Sequence, residues 1–79
     1  MKEVKVLGSG CANCRNTIRL IEEVARERGV EVRVEKVERM EDIVAAGVMR
    51  TPGVIVDGKV VHAGGVPRRE AIAAWLQSA

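Results

Sequence analysis

The sequence predicts an α/β protein: a mixed four-stranded sheet with three helices, in the order βαβαββα. The first supporting observation is that apolar residues occur at strand spacing and at helix spacing in alternate segments of the chain. The second is the Asp57-Gly58 pair, which joins two β-branched segments and is a strong signal for a hairpin. The chain has 79 residues, a length that suits one domain over residues 1–79.

The first strand and the first helix are separated by a glycine-rich loop. Residues 3–7 are rich in valine and are followed by Gly8-Ser9-Gly10, a pattern typical of a strand that ends in a tight loop. From about residue 12 to residue 28, apolar side chains recur at helical spacing, which predicts a helix with one core-facing stripe. The stripe contains Cys14, Ile18, Ile21 and Ala25. Gly29 is a natural end for this helix.

A second strand and a second helix are predicted next. Three valines alternate with charged residues, which is the spacing of a strand. These are Val30, Val32 and Val34. The second helix ends at Gly47, and its apolar face consists of Met40, Ile43 and Val44. Because the first strand, first helix and second strand form a right-handed crossover unit, the two strands should be parallel.

The last third of the sequence is predicted to form a β-hairpin and a third helix. Residues 54–56 and 59–63 are the two hairpin strands, which add antiparallel strands to the sheet. Gly64-Gly65 ends the last strand, and Pro67 suits the first turn of the last helix. The apolar stripe of that helix consists of Ile72, Trp75 and Leu76.

The composition argues against several classes of function. The formal net charge is +2, with acidic and basic residues mixed along the chain, which gives no support for nucleic-acid binding. No segment approaches the roughly 20 apolar residues of a membrane span, so we expect no membrane association. The N-terminal residues do not resemble a secretory signal. We therefore predict a cytoplasmic monomer without a bound cofactor, in a compartment where stable structural disulfides are uncommon.

Cys11 and Cys14 are the only two cysteines, and their CxxC spacing allows three interpretations. A structural disulfide would close a very short loop, which stabilises a protein by only about 2 kcal/mol. A zinc site normally needs four ligands, whereas this chain adds only His62, which we expect to be an ordinary strand residue. Copper(I) needs as few as two soft thiolates and stays open on spacing alone. The third interpretation is a redox pair.

The two cysteines are predicted to differ in reactivity. Cys11 lies at or just before the N-terminus of the first helix, where unpaired backbone N–H groups and the helix dipole stabilise a thiolate. Cys14 lies one turn further, on the apolar stripe, so it should be sheltered and a poorer nucleophile. This asymmetry suits thiol–disulfide exchange, in which Cys11 attacks a disulfide and Cys14 resolves the mixed disulfide.

Four short motifs carry a resemblance to a known family. They are Gly8-Ser9-Gly10-Cys11-Ala12-Asn13-Cys14, Thr51-Pro52-Gly53, the Asp57-Gly58 hairpin and Gly64-Gly65. In this combination the chain resembles the thioredoxin-fold superfamily, and most closely its small thioredoxin- and glutaredoxin-like redox-active disulfide proteins of archaea and bacteria. The resemblance implies a thioredoxin-like fold, with Cys11 as the nucleophile and Cys14 as the resolving thiol. It also implies a cis Thr51–Pro52 bond that faces the cysteines, where the residue before the proline offers its backbone to an extended substrate.

The chain departs from larger members of that family in three places. Ala12-Asn13 separates the cysteines, where thioredoxin has Gly-Pro and many glutaredoxins have Pro-Tyr. Lys5 is the nearest charged residue to the position of thioredoxin's buried acid, and its charge has the opposite sign. Gly64-Gly65 lacks the acidic residue with which glutaredoxins hold glutathione; Arg68 and Arg69, expected to be solvated, follow instead. The resemblance therefore favours a thioredoxin-reductase-type flavoprotein over glutathione as the electron donor.

The prediction is a thiol–disulfide oxidoreductase that reduces or exchanges disulfides in protein substrates, with Cys11 and Cys14 as catalytic residues and Thr51 and Pro52 as substrate-binding residues. Arg15 and Arg50 flank these motifs and are expected to be surface charges.

Two alternatives remain. One is a soft-metal (copper) binding or metallochaperone domain that uses the same cysteine pair. Ser9 stands where such domains carry Met, and residues 67–77 predict a helix where they end on a strand. The other is a binding module in which the pair is only a redox-sensing latch.

Overall fold

Seven elements follow the predicted order in the computed structural model, which describes residues 1–9 and 12–77. They are β1 (Lys2–Leu7), α1 (Ala12–Arg28), β2 (Val32–Val37), α2 (Met40–Ala45), β3 (Gly53–Val56), β4 (Lys59–Ala63) and α3 (Arg69–Gln77). The four strands form one sheet in the order β2-β1-β3-β4. β1 is parallel to β2 and antiparallel to β3, and β3 is antiparallel to β4. The predicted mixed sheet is therefore confirmed.

The β3–β4 hairpin has the turn that its sequence predicts. Asp57 has φ 49° and Gly58 has φ 84°, so both central residues are left-handed, as the tight hairpin turn requires. The Asp57 backbone also bonds to β1, because its N–H donates to the carbonyl of Glu3 at 2.8 Å. The Asp57 carboxylate in turn accepts the N–H of Glu3 at 3.0 Å and lies 3.6 Å from Lys2 Nζ. These contacts join the turn to the first residues of β1.

One face of the sheet is covered by α1 and α3. Alternate residues of β1 and β3 point to this face, as the period of a strand dictates. The buried residues of this core are Val4, Val6, Ile21, Val24, Ala25, Val54, Val56, Ile72, Ala73 and Leu76. Burying each of the larger aliphatic side chains stabilises the fold by roughly 1.5–3 kcal/mol relative to leaving it exposed.

The opposite face is covered by α2, and here one sequence prediction is wrong. Ile43 is buried with Leu7 and Val48 in a second, smaller core. Met40 and Val44, predicted to share its apolar face, are 64% and 65% exposed. The reason is the length of α2: six residues make less than two turns, so only one side chain lies over the sheet.

β1 and β3 each begin one residue earlier than predicted, and two other element boundaries differ by two residues. Val30 does not begin β2 but completes the end of α1, since its N–H donates to the Ala25 carbonyl at 2.9 Å after Gly29 has turned left-handed. Pro67 precedes α3 by two residues, and the first bond of that helix runs from Ile72 N–H to the carbonyl of Arg68.

Arg69 is not the solvated cation that the sequence predicts. Its guanidinium donates to Glu23 at 2.9 Å and also to Glu27, both on α1. The hydrogen bonds that Arg69 donates to Glu27 and Glu23 raise the pKa of Arg69 above its usual range. Because the two carboxylates lie one helical turn apart, a single side chain of α3 contacts two turns of α1. Arg68 is exposed, as expected.

Candidate functional site

Three segments that are distant in sequence meet at the C-terminal end of β1. Gly8 directly follows β1, Cys14 lies in the first turn of α1, and Thr51 lies in the loop before β3. A Cβ built on Gly8 would be 2.1 Å from Cys14 Sγ and 3.6 Å from the Cβ of Thr51. Gly8 is therefore the residue that lets the Cys14 thiol lie directly against the end of the strand, beside Thr51.

Cys14 is sheltered, as its place on the apolar stripe predicts. Its exposed fraction is 5%, and it lies on the side of α1 that faces the core. Thr17, one turn further along the same side, is fully buried, and its hydroxyl donates to the carbonyl of Asn13 at 2.7 Å. Among the described residues, no buried side-chain nitrogen or oxygen atom lacks a hydrogen-bond partner. Cys11, the predicted nucleophile, lies outside the described residues, so its exposure stays a prediction.

The loop before β3 places an exposed residue next to a buried one. The Thr51–Pro52 peptide bond is cis. Pro52 is buried, and its carbonyl accepts the N–H of Gly64 at 3.0 Å, whereas Thr51 is exposed. A Cβ on Gly53 would lie 2.6 Å from a methyl carbon of Val48, so this loop also packs tightly on the α2 side. Thr51 is therefore accessible, in a loop that is held by the buried Pro52 and by the packing of Gly53 on Val48.

A cavity of about 220 Å³ opens beside the Cys14 thiol. Its lining residues are Val6, Gly8, Cys14, Arg15, Lys36 and Glu38. Burial opposes the charged form of a thiol, whereas nearby cations favour it. Arg15 and Lys36 supply cations at this cavity, and Glu38 supplies one carboxylate.

Sequence reasoning missed Lys36, Glu38 and the role of Gly8. Lys36 reaches the site because the parallel register of β1 and β2 sets it opposite Val6, and no local pattern encodes that register. Glu38 follows directly after β2 at the same end of the sheet. The sequence pattern identifies Gly8 only as a loop residue, and its place directly after a strand of buried residues is the signal that could indicate a close contact there.

The side chain of Arg50 packs on the loop that contains Gly64. A Cβ on Gly64 would be 3.1 Å from Arg50 Cδ and 3.3 Å from its Cβ, so the aliphatic part of Arg50 lies on the left-handed backbone of Gly64. Gly64 is the same residue that bonds to the Pro52 carbonyl. Arg50 is exposed, and its guanidinium has no ion pair or hydrogen bond with any residue in the ranges 1–9 and 12–77.

His62 is a strand residue, as predicted. It lies in β4, its Nε2 is 2.9 Å from the carbonyl of Gly65, and its ring centroid is 5.8 Å from that of Trp75. Within the described part of the chain, no three His, Cys, Asp or Glu side chains are grouped so that they could hold a metal ion. The described helices likewise include none that is both long and apolar enough to cross a membrane.

Comparisons with known proteins agree with this architecture. The thioredoxin domain family matches residues 2–77. The chain is 35% identical over 72 residues to a thioredoxin of Methanothermobacter thermautotrophicus, a match that covers 91% of this chain and 94% of that protein. It is 32% identical over 78 residues to a thioredoxin of Methanocaldococcus jannaschii, covering 99% and 90% respectively. The element order and these matches confirm the predicted thioredoxin-like fold.

Proposed function

Because the chain belongs to the thioredoxin family, we propose that it is a thiol–disulfide oxidoreductase that reduces or exchanges disulfides in protein substrates through Cys11 and Cys14. The observation that carries this proposal is the sheltered Cys14 thiol, which lies against Gly8 and beside the exposed Thr51. Cys11 is the proposed nucleophile, three residues before that thiol in the sequence.

The proposed reaction transfers two electrons to the substrate. The thiolate of Cys11 attacks one sulfur of the substrate disulfide, a mixed disulfide forms, and the other substrate sulfur leaves as a thiolate that takes up a proton. Cys14 then loses its proton and attacks the sulfur of Cys11. The second substrate sulfur leaves, and a Cys11–Cys14 disulfide remains. The substrate disulfide has been reduced to two thiols, and the cysteine pair has been oxidised.

The two thiols are suited to different steps. Burial makes Cys14 a poor nucleophile toward free disulfides in solution, and its position three residues after Cys11 makes the second step intramolecular. Thr51 and Pro52 are proposed to bind the substrate backbone, with Thr51 offering its backbone groups to an extended segment. Pro52 has no N–H group and is buried beneath that segment.

A thioredoxin-reductase-type flavoprotein is the proposed electron donor, and it returns the disulfide to the dithiol. Glutathione is less suited, because the four residues directly after Gly64-Gly65 include no acid and Arg68 is exposed there instead. The reducing cytoplasm is the compartment in which such a cycle would operate, with the protein acting as a monomer.

A redox titration tests the proposal. The protein is equilibrated in dithiothreitol or glutathione buffers with a metal chelator present, and its thiols are trapped by alkylation and counted by mass. We expect both thiols to disappear together and reversibly at a potential between about −180 and −300 mV. In a companion reaction, Cys14→Ser should accumulate a mixed disulfide with a disulfide-containing protein, whereas Cys11→Ser should not. Thiols that stay reduced throughout, or that oxidise only into dimers, would overturn the proposal, and copper(I) titration of the pair would then test the alternative.

A further inference from the structure

Positively charged side chains outnumber negatively charged ones at the Cys14 cavity and the adjoining loop. Arg15 and Lys36 line the cavity beside the thiol, and Arg50 stands in the loop next to Thr51. We call these three cations the basic rim. Glu38 is the carboxylate that lines the same cavity. An anionic group brought to this part of the surface would therefore meet more positive than negative charge.

Arg50 is the member of the basic rim that is best placed to meet a substrate. It directly precedes Thr51, so it lies beside the backbone that the proposed function assigns to substrate binding. Its aliphatic part rests on Gly64, at 3.1 Å from the Cβ position of that glycine, and the guanidinium end is exposed. Because this contact already restricts the side chain, less conformational entropy is lost when the guanidinium pairs with a partner.

The chemistry of the partner follows from the guanidinium group. A guanidinium recognises carboxylates, to which it can donate two parallel hydrogen bonds. An extended polypeptide bound along Thr51 would bring the residues next to its disulfide over Arg50. The positive charge of Arg50 would attract acidic side chains at those positions and repel basic ones.

We propose that this site prefers protein disulfides flanked by acidic residues, and that Arg50 is the residue that determines this preference. The inference rests on the proposed function and specifies its substrate class. Two exposed unit charges about 7 Å apart in water interact strongly enough to change a rate constant about threefold. We therefore expect rates to fall about threefold from an acidic to a neutral flank and again from a neutral to a basic flank. This order should weaken as ionic strength rises, since exposed charges are screened by salt.

The test uses three synthetic peptides with one internal disulfide, identical except that the residue flanking the cysteine is Glu, Gln or Lys. The reduced full-length protein is mixed with each peptide, and its oxidation is followed by acid quenching, alkylation and mass counting. Each rate constant is divided by that of dithiothreitol with the same peptide, which removes the effect of the flank on the peptide's own reactivity. The expected ratio of normalised rates from Glu to Lys is about ninefold at low salt and close to one at high salt.

Three variants identify the residue responsible. Arg50→Gln should lower the Glu-to-Lys ratio from about ninefold to close to one, whereas Arg50→Lys should keep most of it, since the charge remains. Arg33→Gln is the matched control: Arg33 is exposed on β2 and pairs in register with Glu3, near the end of the sheet opposite Gly8. It changes the net charge equally and should leave the ratio unchanged.

The outcomes separate this inference from the proposed function. Equal normalised rates for the three peptides, or the same loss in Arg33→Gln as in Arg50→Gln, overturn the preference while leaving the oxidoreductase intact. Failure of the reduced wild-type protein to react with any of the peptides overturns both.

Discussion

On one face of the sheet two helices, α1 and α3, cover β1 and β3, whereas on the other face the six residues of α2 provide the cover. Among residues 1–9 and 12–77, the first core contains ten buried residues from four elements, and the second contains three. On β1 the difference appears residue by residue, because Val4 and Val6 point to the two-helix face while Glu3 and Lys5 are exposed on the other.

The difference teaches how a small chain distributes a limited amount of apolar surface. A chain of 79 residues buries a smaller share of its surface than a larger domain, so full cover on both faces is hard to achieve. Here the two-helix face holds the larger core, and the α2 face leaves Met40, Val44 and Met49 exposed, Met49 to 95%. The candidate site lies at the end of β1, where Cys14 comes from α1 on the two-helix face and Thr51 lies in the loop between α2 and β3.

The largest expected effect comes from the matched pair Ile72→Ala and Ile43→Ala, one on each face. Both isoleucines are buried, at 0% and 3% exposure. We expect Ile72→Ala to lower the free energy of unfolding by about 4 kcal/mol and Ile43→Ala by about 2 kcal/mol, because the short α2 can shift to fill part of the cavity. Urea unfolding measures both.

Val44→Ala is the control for that pair, since Val44 is exposed on α2, and its effect should stay within about 0.5 kcal/mol. Equal losses for the two isoleucine variants would show that the smaller core is as rigid as the larger one and would remove the basis of the comparison.

A smaller effect is expected from Gly8→Ala at the junction of the two faces. The new methyl group would occupy the position 2.1 Å from Cys14 Sγ, so the thiol must move. We expect a loss of about 1–3 kcal/mol in the free energy of unfolding, as for other overpacked sites. The same variant should also slow the resolution of a mixed disulfide, measured by the lifetime of that species after rapid mixing.

Ser9→Ala is the matched control for Gly8→Ala, because Ser9 is the exposed neighbour in the same loop. A Gly8→Ala protein that unfolds and reacts like Ser9→Ala would mean that Cys14 has free space on another side and that Gly8 does not position it.

The smallest effect is expected at the hairpin turn, which lies at the opposite end of the sheet from the site. The hydrogen bond from the Glu3 N–H holds the pKa of Asp57 below its usual range, and the charge of Lys2 adds to this. The unfolded state therefore binds a proton at a higher pH than the folded state, so the carboxylate's contribution to stability is present above the usual carboxyl pKa. It is lost as pH falls through the lowered folded-state value.

Asp57→Asn isolates that charge, because asparagine also tolerates the left-handed conformation and its side-chain oxygen can still accept from Glu3. The difference in stability between wild type and variant should be largest near neutral pH and should shrink as the pH falls below the usual carboxyl pKa of about 3.9. Thermal unfolding across this range measures it. A difference that does not change with pH would show that the carboxylate charge does not stabilise the turn.

The sequence by itself determined the order of the elements, the mixed character of the sheet and the left-handed Asp57-Gly58 turn. It also predicted the sheltered position of Cys14. The elements, the turn and the place of Cys14 depend on a repeat or a backbone preference within a few residues, so local physical chemistry is sufficient to predict them. The parallel pairing of the first two strands follows instead from the helical connection between them.

Tertiary structure alone decided which of the apolar positions are covered and which charges meet. Met40 and Val44 have the spacing of a buried face, yet α2 is too short to bury them. Lys36 reaches the Cys14 cavity through the register of two parallel strands, and Arg69 pairs with Glu23 across 46 positions in sequence. Such contacts depend on how whole elements pack against one another, and no periodicity within a single element encodes that packing.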